Sequence, residues 1–220
     1  MHRLNDLRRV GTRKSFRERE QIYARGSPCE FVYIVDAGEL INVVVSPEGH
    51  ELVIQRAGKG DIVPLTGLLL LQDGAAYRTD CIAQTECKVT EVAASEVRAI
   101  LAKRPELTLH LFDLSLKRLR ERTQQFADCA LLSVHSRVCE WLLQSARKQG
   151  IKSSNSIVLD EHYSKRLIGL FLGGVSRESI SRELSALSRA GLINRNGGHI
   201  TLMDISGLTQ WSAQPRRRRG

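Results

Sequence analysis

The sequence predicts an α+β chain: an N-terminal antiparallel β-roll or jelly-roll, a long coiled-coil dimerisation helix, and a C-terminal winged helix-turn-helix. Three observations predict it. Short β-prone runs separated by glycine turns occupy residues 3–92, apolar residues between 109 and 130 recur at alternating steps of three and four, and two capped helices flank a Gly-Gly turn ahead of a final hairpin signal.

The β-prone runs are Ile22-Tyr23, Phe31 to Val35, Leu40 to Val45, Glu51 to Gln55, Asp80 to Ala83 and Cys87 to Val92. Between them stand Arg25-Gly26-Ser27-Pro28, Asp36-Ala37-Gly38-Glu39, Ser46-Pro47-Glu48-Gly49 and Gly58-Lys59-Gly60-Asp61. Many short strands punctuated by such turns describe a sandwich or barrel-like roll.

A short helix is expected from Ala94 to Lys103, stopped by Pro105. Beyond it Leu109, Phe112, Leu116, Leu119, Thr123, Phe126 and Ala130 trace a heptad seam. Lys117, Arg118, Arg120, Glu121, Arg122, Gln124 and Gln125 flank that seam, leaving a stripe as narrow as that of a two-stranded coiled coil. A single helix lying on its own roll is the competing reading, and the narrow stripe favours a homodimer.

Ser133 then caps a helix from Val134 to Lys148 that buries Val138, Trp141 and Leu142. A polar loop, Gln149 to Ser156, and a short strand, Ile157-Val158-Leu159, follow it. Ser164 to Gly174 reads as a short apolar helix with a serine cap, closed by glycines that accept positive φ. In the next helix, capped by Ser176, Ile180, Leu184 and Leu187 share one stripe, while Arg177, Glu178, Ser181 and Arg182 gather away from it. After Ala190-Gly191, two β-prone runs around Asn196-Gly197 give a hairpin, so the order is helix, turn, helix, wing. Guanidinium forks suit guanine and a carboxylate accepts from the cytosine amino group, so the charged face reads as a recognition surface. A solvated amphipathic helix shows the same pattern, and its surroundings must decide.

Charge supplies part of those surroundings. Of the net +9, residues from 130 onward carry fourteen Lys and Arg against six Asp and Glu, whereas the first 129 carry nineteen against eighteen. The basic excess coincides with the helix-turn-helix, as a footprint for phosphate should. Arg216 to Arg219 supply half of it, either as a phosphate-seeking arm or as a solvated end. No run of eighteen apolar residues occurs, Leu68-Leu69-Leu70-Leu71 is too short to span a bilayer, and no signal-peptide core is present, so a soluble cytoplasmic protein without membrane contact is expected. Five cysteines, odd in number, set among apolar residues and lacking a CxxC, fit core positions in a reducing compartment and offer no metal spacing. Without Gly-x-Ser-x-Gly, P-loop or HExxH, an enzyme is not expected.

With these pieces in order, the chain resembles the Crp/Fnr family of bacterial transcription regulators over about its whole length. Ser176-Arg177-Glu178-Ser179-Ile180-Ser181-Arg182 is similar to the family's SRETVGR and VETISR patterns. Phe31-Val32-Tyr33-Ile34-Val35-Asp36-Ala37-Gly38-Glu39-Leu40 is similar to its VYxIxxGxL strand pair, and Gly58-Lys59-Gly60-Asp61 adds a third match. The resemblance implies a cyclic-nucleotide-binding-like sensor roll over 1–105, a dimerisation helix over 106–129, a winged helix-turn-helix over 130–212 and a basic tail over 213–220. It further implies that Arg177, Glu178 and Arg182 read bases, that Ser181 matches the serine of the Fnr branch, and that the target is a palindrome with TGTGA-like or TTGAT-like half-sites. Ser164, Ser176, Ser179, Arg195 and His199 would hold phosphates of double-stranded DNA, and RNA polymerase is an implied protein partner.

Departures from the family qualify the sensor more than the reader. The turn Leu172-Gly173-Gly174-Val175-Ser176 is one residue longer than the usual LGxS, and Leu167 stands where a polar residue is common. The family's FGE and RSA segments read here as Ile62-Val63-Pro64-Leu65 and Tyr77-Arg78-Thr79-Asp80: the ribose-holding glutamate is absent, Pro64 removes a donor, and Asp80 competes for the charge of Arg78. Cyclic AMP is therefore not expected as a ligand, and a cyclic-AMP-responsive module is the alternative reading. Leu65, Leu68, Arg78 and Thr79 mark the candidate effector pocket. No cysteine precedes Cys29 to hold an iron-sulfur cluster. His50, His110, His135 and His162 read as loop, seam-flank or surface residues, so haem is not expected either.

Overall fold

The computed structural model describes residues 4–49, 51–65, 75–153, 156–159, 164–196 and 199–213. The chain divides into two compact units, Met1–Arg122 and Thr123–Gly220.

In the first unit α1 (Asn5–Val10) precedes eight strands: β1 (Thr12–Phe16), β2 (Gln21–Tyr23), β3 (Phe31–Ala37), β4 (Leu40–Val45), β5 (Glu51–Ala57), β6 (Ile62–Val63), β7 (Asp80–Ala83) and β8 (Cys87–Ala93). They make two antiparallel sheets, ordered β1-β8-β3-β6 and β2-β7-β4-β5. Each of the connections β1 to β2, β3 to β4, β5 to β6 and β7 to β8 carries the chain from one sheet to the other, which is how a roll closes around a core. Gly38, at φ 79°, makes the β3 to β4 crossing where a Cβ would meet the carbonyl of Glu86. β1 escapes sequence reading because its residues are almost all exposed, so no alternation marks it; backbone pairing with β8, the Lys14 to Glu91 ion pair at 2.7 Å and the packing of Phe16 hold it.

Two apolar clusters result. Between the sheets Tyr23, Tyr33, Val35, Leu40, Cys81 and Val89 pack together, with the Tyr23 and Tyr77 rings stacked at 3.9 Å. Burial there pushes the Cys81 thiol up to about 12 and also raises Cys87, so these cysteines are core rather than reactive groups. On the other face of the β3 and β8 sheet, Leu7, Ile34, Val92 and Val97 pack against Leu107 and Leu111, under α1, α2 (Ala94–Lys103) and the start of α3 (Pro105–Leu131). Pro105 both ends α2 and opens α3, since a first helical residue needs no amide hydrogen.

Helix α3 has two apolar faces. Leu107 and Leu111 are buried, and Arg118 anchors the helix to the β5 to β6 turn by donating to Asp61 Oδ1 at 2.6 Å. Leu109, Phe112, Leu116, Leu119 and Phe126 remain exposed in the single chain, Phe126 at 75%, and Thr123 is exposed beside them. The expected seam is thus separate from the face that packs on the roll.

The second unit contains the end of α3, α4 (Val134–Gln149), β9 (Gly150–Ser153), β10 (Ser156–Leu159), α5 (Lys165–Phe171), α6 (Arg177–Arg189), β11 (Ile193–Asn196), β12 (His199–Leu202) and α7 (Ile205–Ala213). Its sheet runs β11-β12-β10-β9, and its core draws on Val138, Leu142, Ile168, Ile180, Leu187 and Leu208. Part of the segment expected to be a polar loop is instead a strand: Gly150–Ser153 pairs antiparallel with Ser156–Leu159, so pairing overrides its polar composition. Helix α7 packs on α4 and is capped by Asp204, whose Oδ1 accepts from Gly207 N at 2.8 Å.

Candidate nucleic-acid interface

Helix α6 is specified locally at both its ends and its faces. Ser176 is extended at ψ 149° and its Oγ accepts from Ser179 N at 3.2 Å, which satisfies one of the free amides of the first turn. Ile180, Leu184 and Leu187 are buried, whereas Arg177, Glu178 and Arg182 are exposed and Ser181 is half-buried. Ser179 Oγ also accepts from Arg182 Nη2 at 3.2 Å, so one guanidinium is pre-oriented along the exposed face.

The neighbouring elements converge on the same helix. Lys165 Nζ, from the first turn of α5, donates to Ser181 Oγ at 3.0 Å. Arg195, on β11, reaches Ser185 Oγ with Nη2 at 3.4 Å, tying the hairpin to α6. His199 is exposed at the start of β12, paired with Asn196 across the hairpin, while Gly197 and Gly198 lie outside the described residues. Ser164 Oγ caps α5 through Leu167 N at 3.1 Å. The five residues expected at phosphates therefore fall at the two helix N-termini, where backbone amides favour anions, and on the wing.

The lengthened turn is absorbed by two successive left-handed glycines, Gly173 at φ 87° and Gly174 at φ 77°. Its carbonyls are held from outside the motif, Phe171 O by Gln125 Nε2 at 2.8 Å and Leu172 O by Arg137 Nη1 at 2.6 Å. Leu167 is buried rather than facing the groove. Gly169 is the close-approach point: its carbonyl accepts from the amides of Gly174 and Val175 at 3.0 Å each, and a Cβ there would collide with the Val175 carbonyl. Gly169→Ala is expected to destabilise this unit by about 1–3 kcal/mol through overpacking, lowering its melting temperature by several degrees in a circular dichroism melt. An unchanged melt would mean that the turn yields.

Lys165, His135 and Glu183 were not among the expected site residues. A lysine in a first helical turn opposes the dipole, and that mismatch is the signal that marks Lys165. His135, expected at the surface, is buried at 3% exposure because it shares the inner stripe of α4 with Val138 and Leu142. Its Nδ1 lies 2.9 Å from Glu183 Oε2 and its Nε2 3.0 Å from the Trp211 carbonyl. The spacing of residues 135, 138 and 142 is legible as one helical face.

Of the candidate effector residues, the three described ones lie in different surroundings. Leu65 packs with the helices outside the β3 sheet, Thr79 is half-buried, Arg78 is exposed, and Leu68 lies outside the described residues. Asp80 does not compete for Arg78 as expected; its Oδ1 accepts from Gln21 Nε2 at 3.1 Å and from the Arg25 amide at 2.9 Å. Tyr77, beside Arg78, turns inward onto Tyr23. At these two segments the described residues offer an exposed cation, Arg78, and one carboxylate, Asp80, which is engaged by Gln21 and the Arg25 amide. His110 is half-buried on α3, and His50 and His162 lie outside the described residues. Among the described residues no group of three His, Cys, Asp or Glu side chains is placed to hold a metal, and no helix is long and apolar enough to cross a membrane.

Comparison with known proteins agrees with this layout. The family described as cyclic nucleotide-binding domain matches residues 13–104, and the Crp-like helix-turn-helix domain matches residues 136–211. A protein of Mycobacterium tuberculosis (strain CDC 1551 / Oshkosh), described as a CRP-like cAMP-activated global transcriptional regulator, is 24% identical over 189 residues, covering 86% of this chain and 83% of its own. The cAMP-activated global transcriptional regulator CRP of Salmonella typhimurium is 25% identical over 178 residues, 81% of this chain and 83% of its own. Among solved structures, FixK2 from Bradyrhizobium japonicum has the same fold at a TM-score of 0.79 and 24% identity, covering 94% of this chain and 100% of that one. A CooA mutant from Carboxydothermus hydrogenoformans superposes with a TM-score of 0.82 at 18% identity, covering 96% and 94%. With the two domain families matched in this order, and transcriptional regulators aligned over more than four fifths of its length, the chain belongs to the Crp/Fnr family of DNA-binding transcription regulators.

Proposed function

We propose that the protein binds a two-fold symmetric DNA site with TGTGA-like or TTGAT-like half-sites as a homodimer, one α6 per half-site. The observation that carries this reading is the arrangement of α6, where an exposed Arg177, Glu178 and Arg182 face stands opposite a fully buried stripe, with Ser179 holding Arg182 in place. Arg177 and Arg182 donate to guanine, Glu178 accepts from cytosine, and Ser181 contacts an adjoining base. Ser164, Ser176, Ser179, Arg195 and His199, joined by Lys165, hold phosphates and set the register. Pairing runs through Leu109, Phe112, Leu116, Leu119, Thr123 and Phe126. The roll over 1–105 serves as sensor, the helix over 106–129 as dimer axis and residues 130–212 as reader, acting in the cytoplasm with RNA polymerase as partner.

Selection of duplexes from a random pool by the purified protein tests this. A palindrome with half-site centres about one helical turn apart, roughly 10 base pairs, is expected. Equal binding of palindromic and random duplexes would overturn it.

The relatives described as cAMP-activated favour a second reading in which a cyclic nucleotide sets DNA affinity. Titration calorimetry decides between them: a submillimolar isotherm with cyclic AMP supports the second reading, and its absence leaves an effector of other chemistry on the roll.

A further inference from the structure

An apolar stripe holds a helix against a core but specifies its rotation weakly, because burial is non-directional. Base readout tolerates little of that freedom. At an outer helix radius of about 5–6 Å, a roll of about 20° displaces a side chain by about 2 Å, more than a hydrogen bond survives.

Two polar contacts flank the stripe of α6. At 100° per residue Ser181 lies about 100° to one side of Ile180 and Glu183 about 60° to the other. Lys165 engages Ser181 on the first side at 3.0 Å, and His135 engages Glu183 on the second at 2.9 Å. The second contact is the more enclosed, with the His135 side chain 3% exposed and that of Glu183 13%. The Trp211 carbonyl can only accept, so His135 Nε2 carries a proton; a carboxylate also only accepts, so a further proton sits between Nδ1 and Glu183. The ring is therefore satisfied on both edges. Its brace on α7 is itself fixed to α4, since Ser136 Oγ donates to the Ser212 carbonyl at 3.0 Å and Ser212 Oγ to Glu140 Oε1 at 3.2 Å. Rolling α6 would pull Glu183 away from the buried imidazole and leave His135 Nδ1 unsatisfied, which is costly in an enclosed site.

We infer that His135 is a positioning residue for DNA readout: through Glu183 it fixes the rotation of α6 about its axis and so aligns Arg177, Glu178 and Arg182 with base edges, without itself touching DNA. This rests on the reading of α6 as the base-contacting helix. It also predicts a distinctive defect, in which discrimination falls while attraction to phosphates persists.

The test uses the full chain, a duplex recovered by selection and a random duplex of equal length, with Glu183→Ala and Glu183→Gln compared to the parent. Glu183→Ala is expected to lower the ratio of the two affinities by about tenfold, with random-duplex affinity held within about twofold, as for a loss of base readout alone. Glu183→Gln can donate its amide to Nδ1 of a neutral ring and is expected to return most of the ratio. If Glu183→Ala melts below the assay temperature, Glu183→Leu, which keeps the packing and removes the contact, decides in its place. Parent-like ratios in both variants, equal loss in both, or an equal fall on selected and random duplexes would each overturn the positioning role while leaving the base-reading helix standing. A parent protein that does not discriminate at all overturns both.

Discussion

Glutamate at both Phe112 and Leu116 is expected to leave each chain folded and to separate it from its partner. Both side chains are exposed in the single chain, so their replacement opens no cavity and the thermal unfolding of the roll should hardly move. In a paired seam the same change sets four carboxylates against one another in a site from which water is excluded, and the seam fails. Sedimentation should then report a particle of 24.6 kDa instead of twice that mass. Affinity for a full palindrome should fall by about 10²- to 10⁴-fold, the usual worth of a second linked binding event, while affinity for an isolated half-site stays as it was. A variant that still sediments as a pair would place the contact between copies elsewhere.

Arg177→Ala should cost about 1–3 kcal/mol at the selected duplex, roughly a 5- to 150-fold loss of affinity, and far less at random DNA. Arg177→Lys should recover little, because an ammonium cannot present two parallel donors to guanine. Competition binding against duplexes altered at one base pair checks both statements: the variant should lose its preference at one position and keep it at the others. A fall of equal size on every duplex would assign Arg177 to phosphate rather than to a base. Arg182 makes the comparison sharper, since its guanidinium is steadied by Ser179 and gives up less freedom on docking.

Much of this architecture can be seen in the residues themselves. Ala94 to Lys103 is a helix over the span expected, and Leu40 to Val45 and Asp80 to Ala83 are strands over theirs, because apolar periodicity and flanking turns agree at each of them. Ser164 and Ser176 cap the helices they were expected to cap, since capping is a local hydrogen bond that needs no tertiary context. What escaped is what depends on partners distant in the chain. β1 and β9 pair with β8 and β10, strands far along the chain or set by a turn, and the residues of β1 are exposed except Phe16. His135 reads from sequence among the loop, seam-flank or surface histidines, but its position on the stripe of Val138 and Leu142 outweighs its polarity once Glu183 and Trp211 satisfy both ring nitrogens. Asp80 looked like a competitor for Arg78 two residues away, yet Gln21 and Arg25, more than fifty residues earlier, occupy it.

The two apolar faces of α3 have a further bearing on gene dosage. The face carrying Leu107 and Leu111 stabilises a chain on its own, whereas the face carrying Phe112, Leu116 and Phe126 is exposed in the single chain. With that face as the proposed pairing surface, the DNA-competent species at low abundance grows with the square of the chain's concentration. A twofold rise in synthesis would then bring nearly a fourfold rise in operator occupancy, and the promoter would respond to abundance more steeply than any single-chain reader allows.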